Sequence, residues 1–378
     1  MNHGLPLDVP MLRSALDYMN LGVYITDRDR RIHLWNRKAE EITGHKSADV
    51  IGRACCENIL VHVDKDKHPL CSTDLCPLYR SMMLDKESKK PLLLYARRAD
   101  NSRVAVSVNT APMHDPSGEV VGGIETFIDS TAQIHDLEFA KRMQRHALAD
   151  IPAGPIGVDF DVKYFPHDLV GGDFYDIREV APGRYGFMVA DVIGHGVSAA
   201  LYTMLLRSLS ESLGRLADRP DEFLTAMNRE LTKFVVEEGF ATAFYGVISV
   251  DRHEIVFANA GHPAPLLYGS EDGTLRRLES HELPLGVLGD AGYRSVAIKL
   301  RPGDLLLCFT DGVTESVGRD GDLLGEDGLA KILREEIYGS GNGLLSRIYR
   351  SVKESCGDIS LSDDVTLLSV AIPSKGRS

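Results

Sequence analysis

No stretch of this chain stays apolar for the roughly eighteen residues that a membrane-spanning helix requires. Its start, MNHGLPLDVPMLRSALDYMN, also lacks the basic segment and apolar core of a secretory signal. Basic runs are missing as well: 42 Lys and Arg are outnumbered by 55 Asp and Glu, for a formal net charge of -13. A surface for nucleic acid or anionic lipid needs concentrated positive charge, so neither partner is expected. There is no internal repeat and no low-complexity tract. The expectation is a cytoplasmic protein without membrane contact. In that reducing setting its six cysteines would be free thiols, metal ligands or redox groups rather than structural disulfides.

What remains is a chain of 378 residues, too long for one ordinary domain, with 43% hydrophobic residues to build cores. After a short lead, a helix is expected over 11–19. Strands follow at 22–26 and 32–35, then short helices broken by Gly44 and Gly52. Three more strands, at 92–96, 104–110 and 120–128, are separated by the turn sequences ADNS and DPSG. The segment DSTAQIHDLEFAKRMQRHALAD (129–150) has no Gly or Pro and reads as one helix, with Ile134, Leu137, Met143 and Leu148 as an incomplete apolar stripe. Such a helix serves either as a packed linker or as a dimerising signalling element. From about Gly157 strands and helices alternate. Strands are expected at 158–165, 173–179, 184–191, 241–251, 254–260, 266–268, 295–299, 304–309 and 365–372. Helices are expected at 197–216, 220–238, 326–338 and 343–356. Many strands with helices in separate pairs indicate two stacked sheets flanked by helices, an α+β class.

Chemistry concentrates on acids at strand ends. Asp173 in VGGDFYD, Asp191 in VADVIGHG, Asp311 in CFTDG and the Asp363-Asp364 pair in LSDDVTLL each follow an apolar run or a Gly-Gly, or border one. An aspartate where a buried strand ends points its charge into a poorly solvated site, and several together repel unless cations compensate them. Hard divalent ions prefer oxygen ligands, and a pair of them can activate water for phosphoryl transfer. Any one Asp-Gly is most often only a turn. By spacing alone a phosphatase, a nucleotide cyclase and a nuclease all stay open.

The motifs narrow this. LVGGDFYD (169–176), ADVIGHGVSAAL (190–201), NAGHPAPLL (259–267), LLLCFTDGVTES (305–316) and SDDVTLL (362–368), in that order, closely resemble the SpoIIE/RsbU branch of the PPM-type Ser/Thr phosphatases. The likeness runs over about 140–373 and includes QRHALADIP, similar to the family's entry segment. It implies an α-β-β-α sandwich with two Mn²⁺ or Mg²⁺ ions at one end, and hydrolysis by metal-activated water without a phosphoenzyme. By motif, Asp191 bridges both ions, the Val192 carbonyl and Asp173 join one, and Asp311 with Asp363 or Asp364 holds the other. Motif register favours Asp363 over Asp364. Gly172, Gly194 and Gly312 allow close backbone approach.

His195 is a candidate general acid toward the leaving alkoxide, or a residue that orients its loop. Asn259 and His262 are expected to brace a loop, and Glu315 to lie behind the ligands. No arginine falls in a motif as a phosphate clamp, and Ile193 stands where the family usually has a small polar residue. The family implies a phosphorylated protein substrate, an anti-sigma-factor antagonist in a partner-switching cascade. A catalytically silent scaffold that only binds its partner is the alternative.

The N-terminal segment GVYITDRDRRIHLWNRKAEEITGHKSADVIGR, with VAVSVNTAPMHDPSGEVVGGIETFIDST closing it, resembles a PAS domain over about 11–131. A five-stranded antiparallel sheet with helices is implied, together with sensing or dimerisation. The expected organisation is a PAS sensor at 11–131, a linker helix at 132–150 and the phosphatase at 156–373, paired as a homodimer through PAS and linker. Within the sensor, Cys55, Cys56, Cys71 and Cys76 lie close in sequence with His62 and His68 between them. An iron-sulfur cluster, zinc, a redox disulfide and simple burial are all readings of that cluster. Trp35, the only tryptophan, is expected in the core.

Overall fold

The computed structural model describes residues 8–64, 67–148, 151–152, 157–194, 196–234, 239–280, 282–319, 321–339, 343–356 and 363–373. The chain divides into two compact units, Met1–Asp136 and Leu137–Ser378.

Unit 1 opens with α1 (Val9–Tyr18), started by Asp8, whose carboxylate accepts from the Met11 N–H at 2.9 Å, and by Pro10 in the first turn. The strands β1 (Gly22–Asp27) and β2 (Ile32–Trp35) form a hairpin, and α2 (Arg37–Thr43) and α3 (Ser47–Val50) follow. Asn36 explains the entry into α2. Its Oδ1 accepts from the N–H of Ala39 and of Val23, and its Nδ2 donates to Leu16 O and Leu21 O. One buried amide thus caps the helix and ties α1 to the sheet.

Helix α4 (Pro77–Leu84) and the strands β3 (Leu92–Arg97), β4 (Arg103–His114) and β5 (Val120–Asp129) complete the unit. The sheet is antiparallel in the order β2-β1-β5-β4-β3. Tyr24, Trp35, Val106, Val108 and Phe127 meet Ile42, Leu78 and Met82 of the helices in its core. Trp35 is 3% exposed. Helix α4 lies where no element was expected. Pro77 in its first turn was the available signal.

Helix α5 (Thr131–Ala147) begins in unit 1, where Ile134 is buried. Unit 2 continues with β6 (Asp159–Phe165), β7 (Asp173–Ala181), β8 (Arg184–Val192), α6 (Val197–Ser212) and α7 (Pro220–Leu231). Next come β9 (Ala241–Ser249), β10 (Glu254–Ala260), β11 (Leu266–Tyr268), β12 (Leu275–Arg277), β13 (Val296–Lys299) and β14 (Leu305–Phe309). The elements α8 (Asp311–Thr314), α9 (Gly325–Glu336), α10 (Leu344–Ser355) and β15 (Val365–Ala371) close it. Two five-stranded antiparallel sheets result, ordered β13-β10-β9-β8-β7 and β12-β11-β14-β15-β6.

The apolar runs make sense once both faces of each sheet are covered. Along β8, Tyr185, Phe187 and Val189 join the core between the sheets, while Met188, Ala190 and Val192 pack on the α6–α7 side. On β14, Leu306 and Cys308 face the other sheet, and Leu307 and Phe309 face α9 and α10. The product is the expected α-β-β-α sandwich. A buried ionic cluster fastens α6 to β7: Asp176, 3% exposed, accepts from Arg178, from Arg207 at 2.8 Å and from Ser210 at 2.9 Å. Among the described residues no helix is long and apolar enough to cross a membrane.

Candidate active site

Sheet register brings the first two acids together. Asp173 at the start of β7 pairs directly with Asp191 near the end of β8. From the other sheet, Asp311 begins α8 directly after β14, and Asp363-Asp364 leads into β15, the neighbour of β14. Burial is the main force lifting the Asp191 carboxyl to about 8, followed by repulsion from Asp311, Asp363 and Asp364. Asp173, 1% exposed, is pushed well above the usual carboxylate range by burial and then by Asp191. Asp311 is raised by burial, Glu315 and Asp363. Five acids from the two sheets therefore share one electrostatic site.

The hydrogen bonds separate their roles. Asp173 Oδ2 accepts from Thr310 Oγ1 at 2.8 Å and from Thr366 Oγ1 at 2.6 Å, so one edge of this carboxylate is fixed by the opposite sheet. Asp364, 4% exposed, is occupied by backbone: Oδ1 accepts from His167 N at 2.7 Å and Oδ2 from Gly172 N at 2.5 Å. Asp363 is exposed, and its Oδ1 accepts from Asp364 N at 2.8 Å.

Close approach explains two glycines. A Cβ on Gly171 would lie 2.4 Å from Asp364 Oδ2, and one on Gly312 would lie 2.0 Å from Asp364 O. Asp364 is thus a staple holding 171–172, 312 and the start of β15 against one another.

The site fits hard cations by donor chemistry: it gathers carboxylates whose charged forms are disfavoured by burial and by one another. Among the described residues no set of three or more His, Cys, Asp or Glu is already drawn in to ligating geometry. Mg²⁺ retains several waters and is held by one or two carboxylates at a time, so its sites need no such group.

Other expected residues fall into place differently. Asn259 and His262 lock each other, with Asn259 Oδ1 accepting from His262 N at 2.7 Å and Asn259 Nδ2 donating to His262 O at 2.9 Å. His262 Nδ1 meets Thr242 Oγ1 at 2.8 Å, and burial depresses the ring to about 3. Both residues brace the loop. Ile193 is exposed, and its N–H donates to Phe240 O. His195 lies outside the described residues.

Sequence reasoning missed Gln144, Thr310 and Thr366, which lie within the motif segments but carry no charge. The apolar stripe expected on α5 is corrected as well. Met143 is exposed at 47% and Gln144 is buried at 4%.

In unit 1 the cysteine cluster gives no support to an iron-sulfur cluster or zinc. All six cysteines of the chain are free, and among the described residues no metal-ligating group forms. Burial raises the thiols of Cys55, Cys71 and Cys76, Cys71 to about 12, so they stay protonated near neutral pH. His68 pairs with Asp64 at 3.0 Å in an exposed turn. Burial also dominates beside them: it lifts Glu125 to about 8 and lowers His62 to about 4. Although His62 Nε2 and Glu125 Oε1 are 3.7 Å apart, each is neutral near pH 7, and the contact is no salt bridge.

Comparison with known proteins agrees with this geometry. Residues 181–373 match the Stage II sporulation protein E (SpoIIE) family, and residues 20–132 match the PAS domain family. Phosphoserine phosphatase RsbU of Bacillus subtilis is 30% identical over 233 residues, 62% of this chain and 69% of RsbU. Phosphoserine phosphatase RsbP of the same organism is 30% identical over 184 residues, 48% of this chain and 45% of RsbP. Among solved structures, the SiaA-PP2C domain of Pseudomonas aeruginosa superposes with a TM-score of 0.55 at 27% identity, covering 64% of this chain and 98% of that one. The RsbU and RsbW domains of Rv1364c from Mycobacterium tuberculosis give 0.50 at 27% identity, over 58% of this chain and 62% of theirs. With its acids gathered at the edges of a PP2C-type sandwich, this chain belongs to the SpoIIE family of protein serine/threonine phosphatases and carries a PAS domain ahead of the catalytic unit.

Proposed function

We propose that unit 2 hydrolyses phosphoserine or phosphothreonine on a protein partner with the help of two Mn²⁺ or Mg²⁺ ions. The convergence of Asp173, Asp191, Asp311 and Asp363 from two sheets, with the carboxyls of Asp173, Asp191 and Asp311 raised by burial and mutual repulsion, carries this reading. These four and the Val192 carbonyl would hold the ions. When bound, such ions supply positive charge to the phosphate oxygens and lower the pKa of an attacking water.

The chain's own residues do the rest. Thr310 and Thr366 both donate to Oδ2 of Asp173 and fix that edge of the carboxylate. Asp364 holds the backbone rather than an ion, which favours Asp363 as the ligand of the pair. His195 is the proposed proton donor to the departing serine oxygen, a role suited to an imidazole that titrates near neutral pH.

The resemblance to partner-switching phosphatases makes an anti-sigma-factor antagonist the proposed substrate. A cytoplasmic homodimer formed through the PAS domain and α5 is proposed, supported by the exposed Phe139 and Met143 one turn apart on that helix. Phosphate release from a phosphoserine protein, measured with and without Mn²⁺, tests the reading. Binding without release would replace it with the silent scaffold, and nucleotide turnover with a cyclase.

A further inference from the structure

We propose that Gln144 of α5 is a positioning residue for the metal-holding carboxylates, acting through the Gly171-Gly172 backbone. The inference rests on the two-metal reading above but concerns a residue outside the ligand set, the first of the segment QRHALADIP.

Gln144 is 4% exposed, and both ends of its amide are engaged. Nε2 donates to Gly171 O at 2.7 Å and to Thr203 Oγ1 of α6 at 2.9 Å, while Oε1 accepts from Gly171 N at 3.2 Å. One side chain thus binds both polar groups of a single residue, as a neighbouring strand would. Nothing in β7 offers this, because Gly171 precedes the strand.

The next residue is held from two further sides. Gly172 N donates to Asp364 Oδ2 at 2.5 Å, and Gly172 O accepts from Val192 N at 3.1 Å. Val192 is the proposed backbone ligand, and Asp173 is the residue after Gly172. Gln144, Asp364 and Val192 therefore grip two consecutive glycines from three directions.

Glycine is needed there because a Cβ on Gly171 would strike Asp364, and one on Gly172 would lie 2.7 Å from Val192 O. The cost of that close fit is a backbone with little stiffness of its own. Gln144 supplies the missing stiffness. Without it, Gly171 N–H and C=O are buried and unpaired, and the segment regains those bonds only by moving, which carries Asp173 and the Asp364 staple with it.

Outer partners of metal ligands typically change metal affinity by 10–100-fold when removed. For Gln144→Leu, close in volume but without hydrogen bonds, Mn²⁺ binding to the full chain by calorimetry should weaken by about tenfold or more. Thr203→Val leaves the two bonds to Gly171 in place and should retain wild-type Mn²⁺ affinity. Gln144→Glu keeps the acceptor for Gly171 N–H and should fall between wild type and Gln144→Leu. That ranking serves in place of Gln144→Leu if the leucine variant does not fold.

If the Gln144 variants melt earlier but bind Mn²⁺ as tightly as wild type, the residue is merely structural and the proposal is overturned. Equal weakening by Thr203→Val also overturns it, because the effect would then pass through helix packing. Failure of the wild-type chain to bind Mn²⁺ at all would instead remove the two-metal reading on which the inference rests.

Discussion

Replacing Glu125 by Gln should convert a PAS unit that loses stability with rising pH into one that does not. Glu125 sits inside the PAS sheet on β5, 1% exposed, opposite Tyr24 of β1 and Thr110 of β4 in register. Burial raises its carboxyl from 4.5 to about 8, partly offset by a hydrogen bond from Tyr24. Between those values the folded chain keeps a proton that the unfolded chain has lost, so stability falls as pH rises. His62 works the other way. Burial, with a smaller push from Arg103, lowers it from 6.5 to about 4. The unfolded chain therefore binds a proton below pH 6.5 that the folded chain refuses, and stability falls as pH drops.

The slopes oppose each other between about pH 4.5 and 6.5. Above 6.5 only Glu125 acts. One proton is worth about 1.4 kcal/mol per pH unit, so wild type should lose about 2 kcal/mol between pH 6.5 and 8 on account of this group. Glu125→Gln should lose none of that, and should instead gain stability from pH 4.5 to 6.5 as His62 titrates together with His45, which burial also lowers. The chain has a single tryptophan, Trp35, in the core of unit 1, so urea unfolding followed by its fluorescence reports on the PAS unit without interference from unit 2. Equal pH slopes for wild type and variant above pH 6.5 would refute the assignment of a buried, neutral Glu125.

Two further outcomes are expected in unit 2. Asp363→Asn should abolish tight Mn²⁺ binding while leaving the urea midpoint of unit 2 nearly unchanged. Asp364→Asn should instead destabilise unit 2 by about 2–3 kcal/mol, since hydrogen bonds to a charged group are worth about 1.5–3 kcal/mol and its two backbone contacts weaken together; reversal of this pattern in calorimetry and urea titration would exchange the two roles. Thr366→Val removes a hydroxyl 2.6 Å from Asp173 Oδ2 with little change of shape, and should weaken Mn²⁺ binding about tenfold, read by calorimetry, with melting temperature nearly unaffected.

Much of this architecture was visible in the sequence because it follows from repeating patterns. The apolar runs of β8 and β14 are long because helices cover one face and a second sheet the other, and the strand ends place the acids. Strand edges were predicted to within a few residues except on β4, which extends to His114 through Pro112. Missed elements had weak local signals. Helix α8 is a four-residue turn that Asp311-Gly312 reads as a loop, and β12 is three residues long.

At the site, charged residues announced themselves and neutral supports did not. Motif register favoured Asp363 with Asp364 as a close competitor, because adjacent identical residues carry little clue to direction. Only the backbone amides of His167 and Gly172, remote in sequence, distinguish it. Gln144 was passed over because helical periodicity was read for apolar residues, whereas a polar side chain fills the buried position. The cysteines misled in the opposite sense. Their spacing invited a metal, but burial as neutral thiols accounts for Cys55 and Cys76.

The most direct measurement is Mn²⁺-dependent phosphate release from a phosphoserine protein by wild type and Asp191→Ala, each checked for intact folding by circular dichroism. Asp191 lies at the centre of the acid cluster, so the substitution should leave a folded protein with phosphate release reduced to background at every Mn²⁺ concentration. A folded Asp191→Ala variant that releases phosphate at a rate close to wild type, with the same Mn²⁺ dependence, would contradict the assignment of this carboxylate site as the catalytic centre.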